Sequence, residues 1–504
     1  MGKGIVKLGE GNWAVKDGNL LAAKETNGRF KNAEFTVARG TDATYVGRDG
    51  LIKRFSSGLA NEVANGDFEL GDNGDWTLPS GWSISNNQLV GNDPTGFATV
   101  NDVFYANKSY RLDVDVAEVD SGDFTIIPNS TDSNSNGTTA IGSTGLHTFY
   151  FHIGTIDLET LYVTFSGDFI GKINSITVRD IEDFDDRPRI DFTNNTDGHL
   201  LLEPQSTNLI TYSEDFTTWI IQSGTTVYSN TTETLSPSGE YNASKITSDG
   251  SNGLFKVVTF SGGDNTKSIF LKGIEGGEQV KLKDPSQTIT TETLTLTTDW
   301  VRYNLSENQT LNIGLWIDDI PSNGIYMWGA QLEALPHPTS YIPTNGSTVT
   351  RDAETCTGAG EAADFNSEEG VLYAEIAALD NDTSDRDIYL SDTTASNRIR
   401  LRFDSSNNIN ALLYNGSIQF NTTQSLTDAT NFNKIAFKYK TNDFALWING
   451  TEVYTDTNGT VCSGLNDLSF WATYISDNNF YGKCKAIRVY KEALSDTDLE
   501  TLTS

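Results

Sequence analysis

Cysteine, methionine, histidine and proline are all scarce in this chain: three, two, four and 11 in 504 residues. Cys356, Cys462 and Cys484 are too few and too scattered for a disulfide framework or a zinc site, which predicts synthesis in a reducing compartment. Long apolar runs are missing as well. Nothing after the N-terminus reads as a secretory signal and nothing reaches the length of a membrane span, so no membrane insertion is expected. Positive charge is short too, with 35 Lys+Arg against 68 Asp+Glu and a net charge of -33. Binding nucleic acid requires clustered Lys and Arg to replace the phosphate counterions, so that partner class is excluded. No heptad pattern specifies a coiled coil.

What is present is the composition of β-structure: alternating Thr, Val, Ile, Tyr and Phe, broken by Gly, Asn, Asp and Ser. The length, at roughly 150 residues per domain, predicts about three bodies. Charge is unevenly placed. Residues 1–60 hold ten Lys+Arg against six Asp+Glu, leaving 25 against 62 for the rest. That asymmetry predicts a head that docks onto something acidic while the body stays in solvent.

Four segments follow from the patterning. Residues 1–60 have short strands and too few apolar residues for a core of their own, which predicts an N-terminal docking segment. Residues 61–184 open on Asn65-Gly-Asp-Phe-Glu69 and continue in strands such as Ser109–Val116, where Leu112, Val114 and Val116 share one face and Arg111, Asp113 and Asp115 the other. Residues 185–345 run from Arg187-Pro-Arg-Ile-Asp-Phe192 through Leu200-Leu-Leu-Glu-Pro-Gln-Ser-Thr-Asn-Leu209 to Gly324-Ile-Tyr-Met-Trp-Gly-Ala-Gln-Leu-Glu333. The proline-rich Leu335-Pro-His-Pro-Thr-Ser-Tyr-Ile-Pro343 reads as an extended, semi-rigid joint. Residues 346–504 carry alternating strands, and Asp443-Phe-Ala-Leu-Trp-Ile-Asn-Gly450 ends in an Asn-Gly hairpin signal. The fold class expected is all-β and multi-domain: two jelly rolls plus a third β-sandwich.

These motifs carry resemblances. The segment Asn479–Leu499 resembles the closing strand and short terminal helix of laminin-G-like, concanavalin A-like domains. The Asn65-Gly-Asp-Phe-Glu69 opening resembles that of jelly-roll carbohydrate-binding modules. Thr36-Val-Ala-Arg39, Asp49-Gly-Leu-Ile52, the 187–209 motifs, Tyr212-Ser-Glu-Asp-Phe216 and Trp328–Thr344, in this order, are similar to structural proteins of tailed bacteriophages. In that family the Asp-Gly-Leu-Ile segment runs almost directly into the Pro-Arg-Ile-Asp segment. Residues 61–184 are therefore expected to be an inserted jelly roll, with part of 30–60 sharing a core with 185–345.

The resemblance implies a virion structural protein: a head fibre, decoration protein or tail appendage made in the bacterial host cytoplasm and placed on the capsid or tail exterior. It implies attachment to other virion proteins through residues 1–60, host-surface or environmental glycans as partners, and a homo-oligomer, plausibly a trimer. A polysaccharide-degrading appendage and a purely structural decoration protein are the alternatives.

No strand carries the alternating carboxylates of a retaining glucanase, and no Gly-x-Ser-x-Gly elbow occurs, so no catalytic residue is assigned and no enzyme is expected. Saccharides need an exposed aromatic platform flanked by polar groups. The candidates are Trp76, Trp82 and Tyr105 in the insert, and Trp471 and Tyr474 in the last domain. Trp447 reads as core. No cofactor is required, but structural calcium has candidates in Asp67, Glu69 and Asp180, in Glu214 and Glu333, and in the acidic loop with Asp380 and Asp382. Ordinary surface acids would present the same pattern.

Overall fold

The computed structural model describes residues 4–11, 13, 15–16, 19–26, 29–55, 63–101, 103–104, 109–128, 138, 140–152, 160–180, 188–249, 252–285, 293–309, 313–472, 474 and 478–504. The chain divides into two compact units, Met1–Arg54 with Asp185–Ser504, and Phe55–Phe184. Sheets form nearly all of the regular structure, and the one α-helix among the described residues is Asp496–Thr503.

In the larger unit, the C-terminal sandwich is built on Gly482–Tyr490. This strand lies between Glu369–Ala378 on one side and Gly4–Gly9 on the other, and His199–Leu202 also pairs with it. The sheet continues outward through Asn19–Thr26, Arg29–Ala38 and Thr355–Thr357. A five-stranded sheet lies opposite, ordered Ile418–Gln424, Ile409–Asn415, Asn397–Phe403, Arg386–Ser391 and Asp467–Ser469. Val6, Leu8, Leu20, Phe35 and Val37 are buried in one core with Leu372, Ile399, Leu401 and Ile487. The Asn449-Gly450 pair makes the predicted tight turn, with φ of 48° and 80°.

This corrects the expectation for the head. Its alternating apolar residues cannot stay dry alone, and the free edge of Gly482–Tyr490 gives them a sheet to join. The strands Gly4–Gly9, Asn19–Thr26 and Arg29–Ala38 thus belong to the C-terminal sandwich. The stretch around 44–54 meets the third block instead, where Thr44 Oγ1 donates to the Tyr341 carbonyl at 2.5 Å and Ile52 packs on Trp328 and Tyr341.

The third block is a sandwich of two five-stranded sheets. One holds Ile220–Ile221, Leu254–Val258, Ile313–Asp318, Gln279–Lys283 and Leu294–Thr295; the other holds Thr226–Tyr228, Ser244–Thr247, Ile325–Glu333, Gly263–Gly273 and Val301–Gln309. Leu254, Leu282, Leu315, Ile317, Ile269 and Met327 fill the space between them. The proline-rich stretch is not a spacer. Thr339, Tyr341, Ile342 and His337 are buried, and side chains of the block satisfy the backbone between its prolines: Ser340 N donates to Glu203 Oε1 at 2.8 Å and Ile342 N to Gln331 Oε1 at 2.6 Å.

A buried ionic cluster lies where these parts meet. Glu354 accepts from Arg39 at 2.8 Å and from Arg189 Nε at 2.7 Å, while Glu203 takes Arg189 at 2.7 Å and Arg351 at 2.9 Å. All five side chains are almost fully buried.

The smaller unit has a six-stranded sheet in which the long strands Ser109–Pro128 and Leu161–Asp180 pair along their length. Leu112, Val114 and Val116 point into its core as the alternation predicts, although Asp113 on the opposite side is also largely buried.

Candidate functional site

The insert's two tryptophans are core residues. Trp76 and Trp82 are 3% and 6% exposed, and their indole N–H groups donate to the carbonyls of Ala64 at 3.1 Å and Gly96 at 2.8 Å. They pack at a tilt against Phe68 and Phe169 respectively, so neither offers a ring to a saccharide. Tyr105 lies outside the described residues. The unit presents Phe97 instead, 44% exposed and edge-on to Tyr162 and Phe165 at 6.5 and 6.1 Å.

In the last domain, Trp471 is half-buried and Tyr474 is exposed. The Tyr474 hydroxyl lies 2.5 Å from Ser391 Oγ and 3.4 Å from Asp467. Burial and the Asp467 carboxylate push Tyr474 up to about 12, and burial also raises Asp467 itself. Trp447 is buried at 7% beneath the terminal helix, as its pattern indicates.

Several of the calcium candidates have other partners. Asp67 Oδ1 accepts from the Glu69 amide at 3.2 Å in an exposed turn, and the side chain of Asp180 is outside the described ones. Glu333 is fully buried and accepts from Ser206 Oγ at 2.6 Å and Thr339 N at 3.0 Å. Asp382 holds Arg386 at 2.5 Å and the Ser384 amide at 2.8 Å, so a guanidinium occupies the place a cation would take, and the Asp380 carbonyl accepts from the same arginine. Among the described residues, no three His, Cys, Asp or Glu side chains converge to hold a metal.

Glu214 has a different setting. It lines an open groove of about 610 Å³ with Arg54, Tyr212, Asp215, Ser229, Asn230, Thr344 and Asn345. Tyr341 OH donates to Glu214 Oε1 at 2.9 Å and Asn242 to Oε2 at 3.0 Å, while burial raises its pKa. Asp215 is tied to Thr217 N at 3.0 Å.

The aromatic platform missed in the sequence is on the same block. Leu254, Leu282, Leu315 and Ile317 turn inward, so Phe255, Trp316 and Lys283 lie on the outer face of their sheet. Strand pairing sets Ile220 beside Phe255, Phe255 beside Trp316, and Trp316 beside Lys283. The Phe255 and Trp316 rings are 5.5 Å apart, and Lys283 Nζ stands 5.0 Å from the Trp316 centroid while bonding Asp318 at 2.5 Å. Ile220 and Val257 flank the pair at 54% and 45% exposure. The signal was the alternation in Ile313-Gly-Leu-Trp-Ile-Asp318, which leaves one tryptophan out of phase with the core.

Residues 374–500 match the concanavalin A-like lectin/glucanases superfamily. The C-terminal sandwich has a concanavalin A-like fold. Among solved structures, the chain is similar to the CBM40 of a Ruminococcus gnavus IT-sialidase bound to α2,3-sialyllactose, with 16% identity over 29% of this chain and 94% of that one, TM-score 0.26. The CBM22 tandem of Paenibacillus barcinonensis Xyn10C matches at 13% identity over 53% of this chain and 95% of its own, TM-score 0.20. Domain 4 of the Geobacillus stearothermophilus arabinanase AbnA, in complex with arabinotriose, matches at 13% identity over 30% and 73%, TM-score 0.22. No curated protein sequence matches the chain.

Proposed function

We propose that this chain is a non-catalytic glycan-binding protein whose third block takes saccharide on the Phe255–Trp316 face. The carrying observation is that two aromatic rings 5.5 Å apart lie on the side of a sheet turned away from its core, beside Lys283 and Asp318. Such rings give apolar area to the C–H faces of a sugar, while the ammonium and carboxylate groups can meet its hydroxyls. Shallow sites of this kind act through copy number, since linking them raises avidity without new contacts.

The setting we propose is the exterior of a tailed-bacteriophage particle, as a head fibre, decoration protein or tail appendage that holds host-surface glycans. The ordered motifs between residues 36 and 344 support this reading. A glycan array probed with the whole chain tests the binding; retention of saccharides by the wild type but not by Trp316→Ala is the expected result. Cryo-electron microscopy of intact particles tests the location, and absence of the chain from them would overturn it.

The groove beside Tyr212 favours a second reading, polysaccharide cleavage, because Glu214, raised by burial, and Asp215 both line it. Release of reducing ends by the wild type, lost in Glu214→Gln, would establish that reading in place of the first.

A further inference from the structure

The outer face of the five-stranded sheet in the C-terminal sandwich concentrates arginine in a chain with a net charge of -33. Strand Asn397–Phe403 turns Ile399, Leu401 and Phe403 into the core. Arg398, Arg400 and Arg402 therefore form a row on the other side, each roughly 7 Å from the next.

The three differ in their partners. Arg402 is saturated: Nε and Nη2 meet Asp387 at 2.5 and 2.7 Å, and Nη1 meets Asp385 at 2.5 Å. Arg400 donates from Nη2 to Asn410 Oδ1 at 2.6 Å, but its Nε is buried without an acceptor and stands 4.0 Å from Asp387 Oδ1. Arg398 lies 4.4 Å from the centroid of the Tyr414 ring and donates to the Ala395 carbonyl, and its Nε also has no acceptor. Asp387 is already committed to Arg402 and to the Tyr389 hydroxyl at 2.6 Å. Each of these two guanidinium groups thus keeps one buried N–H without an acceptor among the described residues, so its charge is only partly compensated within the chain. Burial, and then the neighbouring arginines, hold Arg400 below its ordinary pKa although Asp387 opposes them.

Across the strands from this pair lie groups suited to a sugar. Tyr414 is opposite Arg398, Leu412 is opposite Arg400, and Asn421 follows Leu412 on the exposed edge strand, where Ile418 is 62% exposed. We propose that this face binds an anionic polysaccharide through its carboxylate groups, with Arg398 and Arg400 as the donors and Tyr414, Ile418 and Asn421 contacting the sugar. The assignment rests on the glycan-binding reading above and gives the C-terminal sandwich a ligand class of its own. A planar fork of N–H groups matches a carboxylate, and the chain's overall negative charge makes such local recognition necessary for any polyanion to be held.

The test titrates the full chain by calorimetry with polygalacturonate, dextran sulfate and neutral dextran at low and physiological salt. Polygalacturonate should bind, and Arg400→Gln and Arg398→Gln should each weaken it about tenfold, the loss expected for a hydrogen bond to a charged group. Arg400→Lys should recover only part of the affinity, because it restores the charge without the fork. Near-ultraviolet circular dichroism of each variant separates loss of the site from loss of the fold. No binding of polygalacturonate, or binding indifferent to both arginines, would overturn the proposal. Equal binding of dextran sulfate through the same arginines would overturn the carboxylate assignment. Failure here with neutral glycans still held at Trp316 leaves the broader reading intact, whereas failure of every glycan removes both.

Discussion

Arg189 and Glu354, 165 residues apart, are joined by two hydrogen bonds inside a site where both side chains are 0% exposed. Arg189 belongs to the short strand Arg189–Asp191, which pairs with His199–Leu202 on the sheet of the C-terminal sandwich, and Glu354 lies just before Thr355–Thr357, which pairs with Arg29–Ala38. With Arg39 on the same carboxylate, one glutamate ties three distant parts of the chain together. Glu354→Gln should lower stability by about 3–5 kcal/mol, the usual effect of leaving a buried charge without its partner. Urea denaturation followed by intrinsic fluorescence would register this as an earlier midpoint.

Acid should dismantle the same region. Burial alone would raise Glu354, but Arg189, Arg39 and Arg351 outweigh it and hold the carboxyl below its usual range. Such a depressed carboxyl stabilises the fold above about pH 4.3, its unfolded value, and that contribution is lost as pH falls through the lower folded value. The unfolding midpoint should therefore drop steeply below about pH 4, and less steeply in Glu354→Gln.

His199 should act at milder pH. Burial pushes it down to about 4 although Asp191, at 3.9 Å, opposes the shift. The folded state thus resists a proton that the unfolded chain accepts near pH 6.5, so stability is complete above that pH and declines between about 6.5 and 4, by roughly 3 kcal/mol. A variant His199→Gln should flatten the dependence of the urea midpoint over that interval; an unchanged profile would refute the assignment.

The cysteines give a simple probe of packing. Cys356, Cys462 and Cys484 are free and buried, and burial raises all three thiols, Cys462 to about 12. A thiol-specific disulfide reagent at pH 8 should label none of them in the native chain and all three in denaturant.

Much of the architecture was legible because alternation at period two is a strong signal. It placed Leu112, Val114 and Val116 in the insert's core, marked Trp447 as interior, and located the hairpin at Asn449-Gly450. It does not reveal which partner each sheet edge takes: the resemblance pairs part of 30–60 with the third block, whereas Phe35 and Val37 lie in the core of the C-terminal sandwich. Nor did it separate a structural from an exposed tryptophan when flanking strands were short. Trp76 and Trp82 have few apolar neighbours in sequence, yet Phe68, Phe169 and Gly96 surround them in space. The proline-rich stretch misled for a similar reason, since its burial depends on Glu203, Gln331 and Glu333, which arrive from other strands.

The two kinds of tryptophan make opposite predictions. Trp82→Ala should cost about 3–5 kcal/mol by opening a cavity in the insert, yet leave saccharide binding by the third block untouched.

The central claim is tested most directly by calorimetry of Trp316→Ala against the best neutral ligand of a glycan array. An intact fold by circular dichroism and an affinity about thirtyfold weaker, equivalent to the ~2 kcal/mol of a buried aromatic contact, are expected. Unchanged affinity in both Trp316→Ala and Phe255→Ala would contradict it, and the outer face of that sheet would then not be where this protein holds its glycan.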